Sequence, residues 1–271
     1  MRDLRDRRAL ITGGARGIGL ALAGRLVAEG AQVLLSDVDA DALREGGARV
    51  SAEGGRVRTY VADVADPRSI ANLRASIHDD VGPIDILVNN AGIVRGGAFL
   101  EVPLDSHLHT FQVNTLGLVA MTHAFLPDLI AATAGHLVNI SSASCFIGLP
   151  YGSTYASSKW SVTGFSESIR LELESLGHRH VGVTTVCPSY VSTGLFEGAR
   201  PPRTTRLVTP EKLASLTVAA IKRDKPFVLT PWLVKFTPML KGVLPVRVFD
   251  TVANLLGATL GMQDWRGRRA E

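Results

Sequence analysis

Short apolar runs alternate along this chain with longer amphipathic stretches. The apolar runs predict buried strands, and the stretches with a helical repeat of apolar positions predict helices between them. The predicted strands cover residues 8–12, 31–37, 56–61, 84–89, 135–141, 181–187 and 227–230. The predicted helices cover residues 17–30, 39–52, 66–81, 103–132, 154–176 and 246–262.

Strands that alternate with helices predict a parallel sheet. Because right-handed crossovers place helices on both faces, the predicted fold class is α/β, a single-domain Rossmann-like doubly wound parallel sheet. The strands are almost continuously apolar, as expected when both of their faces are covered. No linker interrupts the chain before residue 231, so we expect residues 1–230 to form one domain and residues 231–271 a C-terminal extension.

Composition and charge narrow the class of protein. The chain has 271 residues, of which 46% are hydrophobic and 20% charged, so it can bury a sizeable core. The net charge of +4 is uneven, with nine Lys or Arg against four Asp or Glu from Lys222 onward and 20 against 21 before it. Only the C-terminal segment is basic, so we expect no nucleic-acid partner.

The two cysteines, Cys145 and Cys187, are too few for a disulfide framework or a metal cluster. We therefore expect no metal site and a reduced, cytoplasmic protein with buried or pocket-lining thiols. The charged first residues do not resemble a secretory signal. No uninterrupted apolar run reaches the roughly 18 residues of a membrane span.

A glycine-rich turn, Thr12-Gly-Gly-Ala-Arg-Gly-Ile-Gly19, lies between the first strand and the first helix. Glycines at 13, 17 and 19 allow a tight turn and a close approach of the backbone to a ligand. The helix N-terminus behind them offers amide groups and a positive dipole end to a pyrophosphate. This position in the chain favours dinucleotide binding over a turn with a purely structural role.

Asp37 ends the second strand, where a carboxylate can accept hydrogen bonds from the ribose hydroxyls of an adenosine. The same carboxylate repels a 2′-phosphate, which favours NAD over NADP. Arg16, within the glycine turn, indicates the opposite, because a guanidinium can bind a 2′-phosphate. We expect NAD to be favoured, with NADP as the alternative, and Asp39 to cap the next helix.

Three further motifs follow strand ends. Asp63 follows the third strand, either to bind an adenine amino group or to act as a loop or cap carboxylate. The run Asn89-Asn-Ala-Gly92 closes the fourth strand, where small residues let a nucleotide pack on the backbone and Asn89 can tie neighbouring strands. Ser142 follows the fifth strand and can bind a substrate oxygen, with Ser141 and Ser144 as rivals.

Tyr155 and Lys159 are four residues apart, so a helix presents both side chains on one face. An ammonium beside a phenol favours the phenolate and lowers the tyrosine pKa, which suits a tyrosine to proton transfer. By itself this spacing is common in helices. Its meaning depends on the other motifs.

Taken in order, these motifs resemble the short-chain dehydrogenase/reductase family over about residues 7–230. The resemblance implies an NAD(P)-dependent oxidoreductase that acts on CH–OH groups. It implies that Tyr155 donates or accepts the proton, Ser142 positions the substrate oxygen, and Lys159 holds the nicotinamide ribose and lowers the Tyr155 pKa. It also implies that Asn114 orients a water in a proton relay, although a polar residue in mid-helix is the alternative.

The resemblance assigns a set of cofactor contacts. They include the backbone at Val191 and the Thr193 hydroxyl, which would hold the nicotinamide carboxamide. The chain departs from the family at Ser189, where glycine is usual after the proline. The expected cofactor-binding residues are Gly13, Arg16, Gly17, Ile18, Gly19, Asp37, Asp63, Val64, Asn90, Ala91, Gly92, Tyr155, Lys159, Pro188, Val191 and Thr193.

The loops around the expected nicotinamide site are largely apolar, which favours a small hydrophobic secondary alcohol, ketone or aldehyde as substrate. A catalytically silent dinucleotide sensor or scaffold is the alternative function, and an epimerase or dehydratase would need a larger substrate domain. Arg200, Arg203 and Arg206 could bind an anionic group, but a solvated lid is the favoured interpretation. The family resemblance implies a homodimer or homotetramer.

The basic extension at residues 231–271 has two interpretations. Its predicted helix presents Phe249, Val252, Leu256 and Leu260 on one face, and its tail contains Trp265 among arginines. This pattern is compatible with peripheral membrane contact. Similar extensions occur on family members with lipid-like substrates. A cover over the substrate pocket, or an oligomer interface, is the favoured interpretation.

Overall fold

The computed structural model describes residues 3–202, 207–257, 259 and 261–267. Within them the chain forms a seven-stranded parallel sheet with the order β3-β2-β1-β4-β5-β6-β7. The strands are β1 Arg8–Thr12, β2 Gln32–Asp37, β3 Arg56–Val61, β4 Ile86–Asn89, β5 His136–Ile140, β6 Gly182–Pro188 and β7 Phe227–Thr230. The strand order reverses direction between β1 and β4, so the carboxyl ends of these two strands flank a crevice.

The helices connect these strands and cover the sheet. They are α1 Gly17–Ala28, α2 Ala40–Ala52, α3 Pro67–Asp80, α4 Leu104–Phe111, α5 Leu118–Ala131, α6 Ser153–Ser175, α7 Pro210–Lys222, α8 Thr237–Val243 and α9 Val246–Leu255. The predicted α/β class and the doubly wound parallel sheet are confirmed.

Two apolar cores sandwich the sheet because successive strand residues point to opposite faces. Ile11 of β1 packs with Leu26 of α1 and Leu213 of α7 on one face. Its neighbour Leu10 packs on the other face with Phe125 of α5. All five side chains are fully shielded from solvent. The strands are therefore covered on both faces, as their apolar runs predict.

Two helical segments differ from the prediction. The predicted helix at 103–132 is interrupted at Gln112–Gly117 by a π-helical segment that contains Asn114. Helix α7, Pro210–Lys222, was not predicted, although Thr209 caps it and its apolar positions repeat with helical spacing. The helix covers the same sheet face as α1.

The predicted C-terminal helix at 246–262 is too long. Helix α9 ends at Leu255, and Gly257 takes a left-handed φ of 74° two residues later. The helix buries Phe249 and Ala253, while Val252 and Leu256 are only partly buried. Leu260 lies outside the described residues, so the predicted apolar face is confirmed only at Phe249.

One stretch, Leu104–Ala131, is long and apolar enough to cross a membrane by length and composition. Half of its most apolar window is buried inside the protein. Phe125 and Leu129 of this stretch belong to the core under the sheet. The same length and composition are typical of a core helix in a globular domain, so they are weak evidence for a membrane-spanning helix.

His136 gives the fold a specific sensitivity to pH. Its ring is fully buried, and Nε2 hydrogen-bonds Thr184 Oγ1 at 2.8 Å. Burial lowers its pKa to about 3. An unfolded histidine titrates near pH ~6.5, so below that pH the unfolded chain binds a proton that the folded protein excludes.

We expect the free energy of unfolding to fall by about 2 kcal/mol between pH ~6.5 and ~4.5 from this residue alone. Urea denaturation across this range measures the fall, and His136→Gln should remove that part of it. His123→Gln, at an exposed position on α5, is the matched control and should behave like the unmodified protein. An equal fall in the His136→Gln protein would contradict the prediction.

Candidate active site

A cleft of ≈ 440 Å³ lies over the carboxyl ends of the central strands. It is lined by most of the residues singled out in the sequence. These are Gly13, Arg16, Gly17, Ile18, Asp37, Asp63, Val64, Asn90, Ala91, Gly92, Ser142, Tyr155, Lys159, Pro188, Val191 and Thr193. Gly19 and Asn114 are buried beside this lining.

The cleft is also lined by residues that sequence reasoning missed. All of them except His109, which lies within α4, are at or within two positions of a strand end or a recognised motif, so adjacency in sequence was the available signal for those residues. They are Ser36, Val38, Ala62, Ile93, His109, Val113 and Ile140.

The glycine turn brings the backbone close to its neighbours. Gly13 takes a φ of 61°, and a Cβ there would lie 2.9 Å from Ala91 Cα. A Cβ on Gly19 would lie 2.3 Å from the Gly13 carbonyl oxygen. Among the described residues, no side chain caps α1, whereas Asp39 caps α2 and Asp66 caps α3. The first amides of α1 therefore suit an anionic ligand in the cleft, and a dinucleotide pyrophosphate fits this part of the site.

Acidic side chains define the adenosine end of the cleft. The Asp37 carboxylate accepts hydrogen bonds from the backbone amides of Ala15 at 3.1 Å and Asp39 at 3.2 Å. Asp39 caps α2 through the Ala42 amide, as predicted, and also forms an ion pair with Arg16. The positive charge of Arg16 is thus partly balanced by Asp39. Next to this end, Asp63 accepts a hydrogen bond from its own loop while still lining the cleft.

Asparagines tie the strand ends together beneath the cleft. Asn89 Nδ2 donates to Asn139 Oδ1 on β5 at 2.9 Å, so the predicted link between neighbouring strands is confirmed. Asn90 Nδ2 donates to the carbonyl oxygens of Thr12 and Gly13 at 2.9 Å each. Asn90 thereby fixes the glycine turn against the loop after β4.

Tyr155 and Lys159 lie on one face of α6, and both side chains are buried. Lys159 Nζ lies 5.9 Å from the centre of the Tyr155 ring and donates to the Ile140 carbonyl oxygen at 2.8 Å. Burial lowers the pKa of Lys159 to about 8. Burial also raises the pKa of Tyr155, and the Ser142 hydroxyl acts in the opposite direction. The lowering of the Tyr155 pKa that was predicted from Lys159 is therefore not found in this structure, because burial has the larger effect.

The three candidate serines differ in what their hydroxyls contact. Ser141 Oγ donates to the Lys159 carbonyl oxygen at 2.9 Å and contacts Thr163 Oγ1 at 2.8 Å. Ser144 Oγ is buried with no hydrogen-bond partner among the described residues. Ser142 Oγ accepts from the Ser144 amide at 3.2 Å and lines the cleft near the Tyr155 hydroxyl. This geometry favours Ser142 as the serine beside the phenol.

Asn114 sits in the π-helical segment and faces the loop after β4. Its Oδ1 accepts from the Ile93 amide at 2.8 Å, and its Nδ2 donates to the Ile93 carbonyl and to Ser158 Oγ at 3.0 Å each. A Cβ on Gly92 would lie 3.3 Å from Asn114 Oδ1 and 3.5 Å from Lys159 Nζ. Asn114 therefore stands next to the lysine with both Nδ2 hydrogens donated within the protein, while Oδ1 retains capacity for a second hydrogen bond.

An apolar region continues from Tyr155 away from the glycine turn. The Phe196 ring packs edge-on against Tyr155 at 5.6 Å and against Tyr190 at 5.3 Å. Arg200 forms an ion pair with Asp264 at 2.8 Å on the protein surface. The other two candidate anion contacts, Arg203 and Arg206, lie outside the described residues.

Both cysteines are buried behind this region. Cys145 Sγ and Cys187 Sγ are 3.8 Å apart, which is hydrogen-bonding distance for thiols. Cys145 follows Ser142 by three residues, and Cys187 directly precedes Pro188. The thiols thus pack the strand ends that carry the site, as the sequence predicted for buried cysteines.

The chain is similar in sequence to known proteins. The family described as short chain dehydrogenase matches residues 7–204. Mouse epidermal retinol dehydrogenase 2 is 33% identical over 269 residues, covering 96% of this chain and 85% of its own length. The 1-deoxy-11-beta-hydroxypentalenate dehydrogenase of Streptomyces exfoliatus is 35% identical over 228 residues, covering 82% of each chain.

Solved structures with a similar fold are short-chain dehydrogenases or oxidoreductases as well. A short chain dehydrogenase/reductase from Burkholderia phymatum in complex with NAD superimposes with a TM-score of 0.81 and 26% identity, over 89% of this chain and 94% of its own. A metagenomic short-chain oxidoreductase in complex with NADP has a TM-score of 0.71 and 29% identity, over 83% of this chain and 95% of its own. The chain therefore belongs to the short-chain dehydrogenase/reductase family, the nicotinamide-dependent oxidoreductases that act on alcohol groups.

Proposed function

We propose that this protein interconverts a hydrophobic secondary alcohol and its ketone, or a related aldehyde, with Tyr155 as the acid and base. The observation that carries the proposal is the meeting of Ser142, Tyr155 and Lys159 at one end of a cleft whose other end is the glycine turn. A silent dinucleotide sensor would have no need of a buried phenol and ammonium beside a serine hydroxyl.

A bound nicotinamide would supply or accept the hydride. Tyr155 Oη gives its proton to the substrate oxygen in the reductive direction and takes it back in the oxidative direction. Ser142 Oγ holds that oxygen by a hydrogen bond beside the phenol. Because burial raises the Tyr155 pKa, the phenol form required for reduction is well populated at neutral pH.

Lys159 would act in two ways. Its ammonium can donate to ribose hydroxyls while it retains the hydrogen bond to Ile140, since an ammonium has three donors. Its charge favours the phenolate of Tyr155 when the alcohol is oxidised. Asn114 supports this end of the site, and a water held near it would connect Lys159 to solvent. Val191 and Thr193 would hold the nicotinamide carboxamide, next to Pro188.

We propose NAD as the favoured cofactor, with NADP as the alternative. The Asp37 carboxylate lies at the end of β2 on the cleft wall, where it would repel a 2′-phosphate. The ion pair with Asp39 also balances Arg16, the cation within the turn that could have attracted such a phosphate.

We further propose that the protein is a cytoplasmic homo-oligomer and that its extension, residues 231–271, contacts membranes. None of the residues in α8, all of which are described, is buried. Exposed apolar side chains there and nearby lie among Lys235, Lys241 and Arg247, as is typical of interfacial helices. They include Trp232, Phe236, Met239, Val243, Val246 and Leu255.

A separate set of exposed apolar side chains on α4 to α6 suits contact between two copies of the chain. It consists of Leu104, Leu108, Leu116, Val119 and Leu171.

Tyr155→Phe should lower kcat by about 100-fold or more, because the reaction loses its proton donor while the ring and its packing stay. NADH consumption with a panel of apolar ketones measures turnover, and fluorescence titration measures NADH affinity, which should stay within about 3-fold because the phenol oxygen is one contact among many. Tyr60→Phe, which removes a surface hydroxyl bonded to Asp80, is the matched control. A fully active Tyr155→Phe enzyme would contradict the proposal that Tyr155 is the acid and base.

Asp37→Ser should raise the ratio of kcat/KM with NADP to kcat/KM with NAD by about 10-fold or more, since it removes a charge that repels the 2′-phosphate. Asp41→Ser removes a carboxylate from the exposed side of α2, where the Asp41 side chain is 80% exposed. This control should leave the ratio unchanged. Equal ratios in all three proteins would show that Asp37 does not select the cofactor.

Flotation with vesicles tests membrane contact. We expect the protein to float with anionic phosphatidylserine vesicles more than with neutral phosphatidylcholine vesicles, and Val243→Asp with Val246→Asp to abolish flotation. Leu176→Asp, at a position 63% exposed beyond α6, should float normally. Absence of flotation in the unmodified protein would contradict the membrane proposal.

Sedimentation velocity of the unmodified protein tests the proposed homo-oligomer. A monomer at micromolar concentration would contradict it.

A further inference from the structure

Residues 261–267, which we call the strap, return from the extension to the candidate active site. They lie beyond the segment that matches the family, which ends at residue 204. The Gly261 carbonyl oxygen accepts from the Arg200 amide at 2.8 Å, and the Arg266 amide donates to the Glu197 carbonyl oxygen at 2.9 Å. The strap is thus bound along its length to the loop after β6.

Two strap side chains point inward. Met262 is only 1% exposed and belongs to the apolar cluster that contains Tyr155 and Leu149. Trp265 packs on the edge of the same cluster, and its Nε1 donates to the Leu195 carbonyl oxygen at 3.2 Å. Gln263 between them is exposed. The strap therefore has an apolar inner face toward the catalytic tyrosine and a polar outer face.

Glycines allow this close approach. A Cβ on Gly261 would lie 2.4 Å from the Tyr190 hydroxyl oxygen and 2.6 Å from the Arg200 carbonyl oxygen. A Cβ on Gly96 would lie 2.8 Å from the Trp265 indole. Such distances leave no room for a side chain. The strap therefore approaches its neighbours closely on both sides.

The strap backs the residues that line the substrate side of the site. Leu149, Tyr190 and Phe196 line a small cavity of ≈ 50 Å³ next to Ser142 and Tyr155. Met262 and Trp265 belong to the same apolar cluster as these lining side chains, so they oppose outward movement of the lining, because close-packed interiors resist expansion.

We propose that the strap is the outer wall of the substrate pocket and that Met262 and Trp265 set the largest substrate that the site accepts. Both are positioning residues, because they act through the lining side chains. The proposal rests on the proposed function, since it assumes that an apolar alcohol or ketone binds beside Tyr155. The strap then limits the size of the alcohol or ketone that can bind. Compact apolar molecules bind within the closed pocket, and long-chain molecules must displace the strap.

The test compares kcat/KM for a series of secondary alcohols from 2-butanol to 2-dodecanol, with cyclohexanol as a compact ring. Met262→Ala removes the apolar support, and Gly261→Ala forces the strap away from Tyr190 without removing any apolar side chain. Gln263→Ala, on the outer face, and Gly242→Ala, where a Cβ would meet nothing within 4 Å, are the matched controls. The Michaelis constant for NAD and the melting temperature are measured for every protein.

We expect both strap variants to raise kcat/KM for the longest substrates relative to the shortest by about 10-fold, the scale of hydrophobic pocket discrimination. The change should lie mainly in the KM for the alcohol, with the KM for NAD unchanged, which a merely structural role would not produce. The controls should keep the unmodified profile.

An unchanged size profile in both strap variants, with an active unmodified enzyme, would overturn the strap proposal and leave the proposed function intact. An unmodified protein that binds NAD but turns over none of the alcohols or their ketones would instead contradict the proposed function. If Met262→Ala unfolds, Gly261→Ala decides the result, because it displaces the strap without removing an apolar side chain. The conservative Met262→Leu, which keeps the apolar support, should retain the unmodified size profile.

Discussion

The rest of the site depends on the buried ammonium of Lys159. A charge removed from water is costly unless it is hydrogen-bonded. Here the carbonyl oxygen of Ile140, at the end of β5, accepts a hydrogen bond from Lys159 Nζ, and the Ser141 hydroxyl next to it donates to the Lys159 carbonyl oxygen. These two bonds lock α6 to the end of β5. Tyr155 lies one turn earlier on α6, so the same lock fixes the phenol over the strand ends.

A second polar network sets the register of the central strands. The side chains of Asn89 and Asn139 bond to each other, and Asn139 Nδ2 donates to Ser166 Oγ on α6 at 2.9 Å. Both asparagines are buried. A slip of one residue in either strand would leave these amides without partners, at a cost of about 1–3 kcal/mol for each unsatisfied group. The network thereby aligns the strand ends on which the cleft is built.

The extension divides into two parts with opposite surfaces. Helices α8 and α9 leave most of their apolar side chains exposed, and Lys241 lies 3.9 Å from the centre of the Trp160 ring on α6. The strap instead buries Met262 in the cluster that contains Tyr155, with Trp265 partly buried at the edge of that cluster. The extension thus carries both surfaces that the two proposals use, the exposed helices for membrane contact and the strap beside Tyr155 for the substrate pocket.

The sequence by itself predicted the strands, their parallel arrangement and the residues expected at the carboxyl ends of the strands. Strand and helix periodicity is local, and the motifs follow strand ends, so parallel topology alone brings Asp37, Asn90, Ser142 and Tyr155 to one edge of the sheet. The π-helical turn at Asn114 could not be predicted, because packing against a distant segment decides the backbone there. A Cβ on Gly117, for example, would lie 2.6 Å from the Val64 carbonyl oxygen. The early end of α9 did have a local signal, the left-handed Gly257 two residues after Leu255.

Only the tertiary structure decided which partners the charged and apolar groups take. The pairing of Arg16 with Asp39, the hydrogen bond from Lys159 to Ile140 and the contact of Met262 with the cluster around Tyr155 all join residues distant in sequence. No periodic pattern encodes such contacts, because each depends on how separate elements pack in three dimensions. The strap is the clearest case: the sequence left open whether the extension covers the substrate pocket, forms an oligomer interface or contacts a membrane, and the structure places Met262 in the cluster that contains Tyr155.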